Sequence, residues 1–228
     1  MTQDIAEAIV RVRERIERAC ESAGRDPASV RLIAVSKAHP EDAIRRAYDA
    51  GMRVFGENYA QELAAKAAVL SDLNDIRWRF IGHLQRNKIK LVERANATVD
   101  TLDSVRLAEA LSSRAASRGV EVEALIQVNV GGEAQKFGCD PEEVPALVEA
   151  VRALPSISLR GLMTVAPHFE DVAETRPVFA GLRVLGAAHG LPELSMGMTH
   201  DLEPAVEEGA TMLRIGTAIF GPRPAVNR

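Results

Sequence analysis

Lys37 ends the run "RLIAVSK", residues 31–37, directly after a string of apolar residues and three positions before Pro40. A lysine with its ordinary pKa of about 10.4 is neutral at pH 7 in only about one molecule in a few thousand, and withdrawal from water lowers that pKa by units. A neutral amine attacks carbonyl carbon, so a lysine at a strand end is a Schiff-base former, with a carbonyl substrate or with an aldehyde cofactor. The competing reading is a lysine that snorkels past the strand end into water. The rest of the chain must decide between them.

A second group lies in "LSMGMTHDLEPAVEEGATMLRIGTAIFG", residues 194–221. Ser195, Met196, Gly197, Thr199, Gly216 and Thr217 put small and hydroxyl residues at two apolar run ends, where backbone amides can hold a phosphate. Taken alone, such residues also make ordinary tight turns. Arg214, two positions before Gly216, can face a barrel mouth and donate to a pyridine nitrogen, or it can pair with a carboxylate such as Glu57. A guanidinium stays protonated, so the first arrangement keeps a ring nitrogen unprotonated. Other polar residues that close apolar runs are Asn58, His83, Asp100 or Asp103, Asn129, Met163 and Thr164.

These residues need elements to bring them together. Ile5, Ile9, Val12, Ile16 and Cys20 recur at spacings of three and four, which predicts an amphipathic helix ending at Gly24. From Val30 the chain alternates short apolar runs with helical patterns, and eight strand candidates emerge. They are "VRLIAVS", "RVFGEN", "RWRFIG", "ATVDTLD", "VEALIQVNV", "ISLRGLMTV", "LSMG" and "TMLRIGTAIFG". Asp140, Pro141 and Glu143 form a helix-start signature with a capping box. Gly24, Gly51, Gly119 and Gly209 stand where helices should stop. Strands alternating with helices imply a parallel sheet, and eight units favour a closed (β/α)8 TIM barrel of class α/β over an open doubly wound sheet. The open sheet would also want a G-x-G-x-x-G fingerprint after its first strand, where "AVSKAHP" stands instead. A barrel uses the whole chain, so the expectation is one domain over residues 1–228 with residues 1–24 as a helix packed on it.

Composition narrows the function classes. The 228 residues carry a formal net charge of -4, which supplies no general field for nucleic acid. Two cysteines, Cys20 and Cys139, fit neither a disulfide framework nor a zinc site. No signal-type segment and no apolar run of about 18 residues is present, so a cytoplasmic protein without membrane contact is expected.

The motifs "AVSKAHP", "FGENYAQE", "WRFIGHLQRNK", "LIQVNVGGEAQKFG", "LRGLMTVAP" and "SMGMTHDLEPAVEEGATMLRIGTAIFG" occur in this order over nearly the full length. With them the chain resembles the pyridoxal-phosphate homeostasis proteins, which are similar to the N-terminal barrel of alanine racemase. The resemblance implies that Lys37 carries pyridoxal 5'-phosphate as a Schiff base, that Asn58 lies near the ring and that Arg214 faces the pyridine nitrogen. Around the phosphate it points to Ser195, Met196, Gly197, Gly216 and Thr217. Where the family has "SMGMS" followed by an acidic residue, this chain has "SMGMTHD"; Thr199 keeps a hydroxyl for the phosphate, and His200 is without a counterpart. Lys136 matches a family lysine associated with cofactor exchange.

A racemase needs a base on each face of the substrate α-carbon, and Lys37 supplies one. In alanine racemase the second is a tyrosine from a C-terminal domain across a dimer, whereas the tyrosines here, Tyr48 and Tyr59, come early. His83 and Asp103 are the remaining titratable candidates. The expectation is therefore a monomeric carrier that buffers, stores or delivers pyridoxal 5'-phosphate and touches apo enzymes transiently. The alternatives are a small pyridoxal-phosphate-dependent racemase and a cofactor-free Schiff-base aldolase.

Overall fold

A computed structural model describes residues 4–133 and 137–222. Eight strands run in chain order around a closed barrel: β1 (Arg31–Val35), β2 (Val54–Glu57), β3 (Arg77–Phe80), β4 (Thr98–Leu102), β5 (Val122–Gln127), β6 (Ile157–Met163), β7 (Glu193–Ser195) and β8 (Met212–Ile215). Neighbouring strands are parallel throughout, and β8 returns to β1 through the pairs Arg31↔Met212 to Ala34↔Ile215. That last pairing excludes the open sheet. Lys136 lies outside the described residues.

Helices cover the barrel in the order the sequence periodicity predicts. They are α1 (Ile5–Ser22), α2 (Glu41–Asp49), α3 (Ala60–Val69), α4 (Ile89–Arg94), α5 (Val105–Ala116), α6 (Val144–Arg152), α7 (Arg176–Ala188), α8 (Leu202–Glu207) and α9 (Thr217–Phe220). α1 begins because the Asp4 carboxylate accepts from the amides of Ala6 and Glu7, and it ends at Gly24, whose φ is 65°. Its buried face, with Ile5, Ile9, Val12 and Ile16, packs on α2, α8 and α9. Each such isoleucine contributes about 1.5–3 kcal/mol by leaving water. The capping box before α6 is present, the amide of Asp140 donating to Glu143 at 2.9 Å. α7 is preceded by a 3-10 turn over Val172–Thr175, and Pro177 takes an early position in the helix. After β3 the chain likewise makes a 3-10 turn at Arg86–Lys88 before a short α4.

Two cores result. The larger lies between the sheet's outer face and the helices. The smaller fills the barrel and contains Ile33, Leu125, Met163 and Met212. Above it Arg79 and Asp100 form a bidentate pair inside the barrel, with Nη2 to Oδ1 at 2.7 Å and Nε to both carboxylate oxygens at 3.0 Å. Burial pushes the Asp100 carboxyl up, against the pull of the Arg79 guanidinium.

Candidate functional site

At the C-terminal mouth of the barrel the strand ends enclose a cavity of about 360 Å³. Side chains alternate across a strand, so β1 sends Ile33 into the inner core and Val35 and Lys37 onto the cavity wall, while Ala34 joins the outer core. Lys37 is half-buried and lines the cavity at the barrel mouth. The register Val35↔Gly56 carries Asn58 to the level of Lys37 on the neighbouring strand. Asn58 lines the cavity, and its Oδ1 is buried with no hydrogen-bond partner. Gly82 permits this placement: a Cβ there would lie 2.0 Å from the Asn58 carbonyl oxygen.

Closure of β8 onto β1 supplies the other wall. Arg214 lines the cavity and is itself buried; its Nη1 donates to Ser195 Oγ at 2.9 Å and its Nη2 to the Thr164 carbonyl at 2.7 Å. Burial lowers its guanidinium to about 10, still well above neutral pH, so the wall keeps a fixed positive charge. The alternative pairing of Arg214 with Glu57 does not occur. Glu57 points away from the mouth and accepts from Ser36 Oγ and Lys66 Nζ, both at 2.7 Å. Gly216, Thr217 and Thr199 complete this side of the cavity, together with Met198 and His200.

Of the nine residues named from sequence as cofactor contacts, Lys37, Asn58, Thr199, Arg214, Gly216 and Thr217 therefore line one cavity. Ser195, Met196 and Gly197 stand behind it. Ser195 anchors Arg214, Met196 is buried in the outer core, and Gly197 makes the turn with φ 90° where a Cβ would meet Ala205 Cβ at 2.4 Å. The Asp201 carboxylate accepts from the Met198 amide at 2.5 Å and holds the same loop. The chain also fixes it from outside, because Arg15 on α1 donates to Glu203 at 2.7 and 2.8 Å and to the Thr199 carbonyl at 3.1 Å.

His83 and Asp103 stand apart from this cavity. They flank a separate groove, 3.5 Å from each other, with the His83 ring stacked on Phe137. His200 is the unexpected member of the wall, its ring 5.5 Å from that of His168. Lys66 was also missed as a site element: it is 3% exposed and reaches Glu57, Glu62 and the Ser36 carbonyl behind Lys37. Its signal was helical phase, since Leu63, Lys66 and Leu70 share the inward face of α3 and its C-terminal cap. Cys139 offers no alternative nucleophile, as burial pushes its thiol up to about 12.

The wall thus presents an amine, an arginine cation, an unsatisfied amide oxygen and small hydroxyl residues. This set suits an anionic aldehyde with a hydrogen-bonding aromatic ring, and the orphaned Asn58 oxygen is the unpartnered polar atom on the cavity lining.

Residues 9–224 match the family described as alanine racemase, N-terminal domain. The chain is 48% identical over 221 residues to the pyridoxal phosphate homeostasis protein of Pseudomonas aeruginosa, with 96% of each chain covered. The solved structure of PipY from Synechococcus elongatus with PLP bound is similar at a TM-score of 0.83 and 39% identity, over 95% of this chain and 100% of that one. Alanine racemase from Corynebacterium glutamicum has a TM-score of 0.67 at 20% identity, over 98% of this chain and 62% of its own, a likeness of fold.

Proposed function

The chain belongs to the family of pyridoxal phosphate homeostasis proteins, and from that premise we propose that its barrel mouth holds pyridoxal 5'-phosphate on Lys37 for cellular homeostasis of the cofactor. The observation that carries this reading is the meeting of Lys37, Arg214 and the unpartnered Asn58 oxygen in one cavity of about 360 Å³. When bound, the cofactor supplies an aldehyde that condenses with an amine and releases water. Lys37 is the amine. Asn58 offers an acceptor to a donor on the ring, and Arg214 places a permanent donor where a pyridine nitrogen would otherwise take up a proton. Thr199, Gly216 and Thr217 hold the phosphate, with Ser195, Met196 and Gly197 shaping the loop beneath it.

The protein acts as a carrier, in the cytoplasm, that buffers, stores or delivers the cofactor, and touches recipient apo enzymes transiently as a monomer. Support comes from where the two tyrosines lie. The Tyr48 hydroxyl donates to Asp75 and its ring lies under Arg53, at the opposite end of the barrel from Lys37. Tyr59 is 59% exposed and does not line the cavity. His200 does line it, and that observation keeps a racemase as the second reading.

Purified protein given pyridoxal phosphate is expected to gain a visible absorbance band that borohydride fixes and that Lys37→Ala lacks. Absence of the band in the wild-type protein would sink the cofactor reading and return the aldolase. Loaded protein incubated with single-enantiomer amino acids in deuterated water is expected to exchange no α-proton beyond the free-cofactor rate. Rapid exchange, abolished by His200→Phe, would make the protein an enzyme.

A further inference from the structure

Lys37 sits in a three-residue turn whose two flanking residues are both tied to one buried cluster outside the barrel. Before it, Ser36 is fully buried; its hydroxyl donates to Glu57 Oε1 at 2.7 Å and its carbonyl accepts from Lys66 Nζ at 2.7 Å. After it, Ala38 adopts φ 62°, a left-handed conformation that a residue with a Cβ rarely takes, and its amide donates to Glu62 Oε1 at 2.7 Å. Lys66 joins the two sides, since its Nζ also reaches Glu57 Oε1 at 2.7 Å and Glu62 Oε1 at 2.6 Å. One ammonium with three donors therefore meets three acceptors, and each acceptor group bears on the turn around Lys37.

The cluster faces away from the cavity. Glu57 and Ser36 occupy the outward phase of β2 and β1, and Lys66 comes from α3, on the helix side of the sheet. Lys66 is thus spent on carboxylates and a carbonyl, and Lys37 is the lysine on the cavity wall. A buried ammonium and two carboxylates are a costly way to fill space between a strand and a helix, where apolar residues would stabilise at least as well. What an apolar set would not supply is a fixed hold on both peptide groups beside Lys37.

We propose that Lys66, acting through Glu57 and Glu62, is a positioning residue that holds the Ser36–Ala38 turn so that the Lys37 amine enters the cavity at a fixed place. This rests on the reading of Lys37 as the covalent anchor, and it adds a residue that touches neither the cofactor nor the cavity. The reaction through which it is read is the condensation of the Lys37 amine with the aldehyde, water leaving, followed by hydride from borohydride to give a stable secondary amine.

The test compares wild-type protein with Lys66→Met, with Lys66→Met/Glu57→Gln, which removes both buried charges together, and with Glu62→Leu at the half-buried edge. Two readouts are taken: the rate at which pyridoxal phosphate and borohydride label the Lys37 peptide, and the cofactor-free rate at which acetic anhydride acetylates Lys37 relative to other lysines. Displacing a reacting group by about 1 Å costs up to about a hundredfold, so cofactor labelling at Lys37 is expected to fall about tenfold or more in the Lys66 variants and about threefold or more in Glu62→Leu. Relative acetylation of Lys37 should change in the same variants, while the double variant and Glu62→Leu keep cooperative thermal unfolding. Glu62→Leu labelled at the wild-type rate, or a folded double variant labelled at that rate, overturns the proposal. Wild-type protein that itself takes no label at Lys37 overturns instead the reading of the site.

Discussion

Asn58 keeps its buried side-chain amide oxygen, Oδ1, without a donor, a condition that costs about 1–3 kcal/mol. Replacing it with leucine should leave cofactor-free stability unchanged or raised in thermal denaturation, while equilibrium dialysis finds pyridoxal phosphate held up to about tenfold more weakly, the worth of one lost hydrogen bond. Arg214 is the opposite case, because its guanidinium satisfies Ser195 and Thr164 as well as facing the cavity. Arg214→Met should therefore lose stability by about 2–3 kcal/mol in urea unfolding, in addition to weakening retention. Arg214 was legible from its place two residues before Gly216 and Asn58 from the family resemblance; in the structure Val35 and Lys37 on one strand and Arg214 and Gly216 on another fall on one phase. Lys66 was harder to read, since one polar residue on a buried helical face carries no mark of the carboxylates it meets. His200 was read as an extra residue in a loop, and only the loop's fold shows it turned to the cavity.

Short elements around the mouth depend on what grips them. α8 spans only Leu202–Glu207, and α1 clamps it through Arg15 and Glu203. Desolvation pushes the Glu203 carboxyl up, but the hydrogen bond from Arg15, a backbone hydrogen bond and the charges of Arg15 and Arg18 together outweigh it and hold the group below its ordinary value of 4.5. A depressed folded pKa means stability that is present above 4.5 and lost as pH falls through the lower folded value. Glu203 is partly exposed, so the contribution is at most about 1 kcal/mol. Urea midpoints of wild-type protein and Arg15→Met are expected to differ near neutral pH and to converge in acid. Gly82 is the other grip: Gly82→Ala would put a methyl 2.0 Å from the Asn58 carbonyl oxygen and force β2 and β3 apart at their ends. Cofactor affinity should fall with Asn58 itself unaltered, as equilibrium dialysis can check.

For the molecule as a whole, ring closure is what turns separate strand ends into a site. Eight apolar runs with helices between them were countable in the sequence, and their order around the barrel follows from parallel neighbours. The interior charge was not countable. Arg79 alternates with Trp78 and Phe80 and so points inward, yet its partner Asp100 lies mid-strand in β4, next to a register shift that no local pattern marks. Arg79→Met leaves Asp100 buried without its cation and should cost about 3–5 kcal/mol in urea unfolding, most of it regained by the further change Asp100→Leu.

The pairing of β8 with β1 has a consequence for biosynthesis. A chain emerging from the ribosome exposes residue 37 well before Arg214, Gly216 and Thr217, which leave the exit tunnel only with β8 and the turn after it. A nascent chain arrested before β8 has Lys37 and one side of the cavity, with an open sheet edge on each side. On the proposed reading of the site, cofactor capture therefore waits until β8 has been made and the ring has shut.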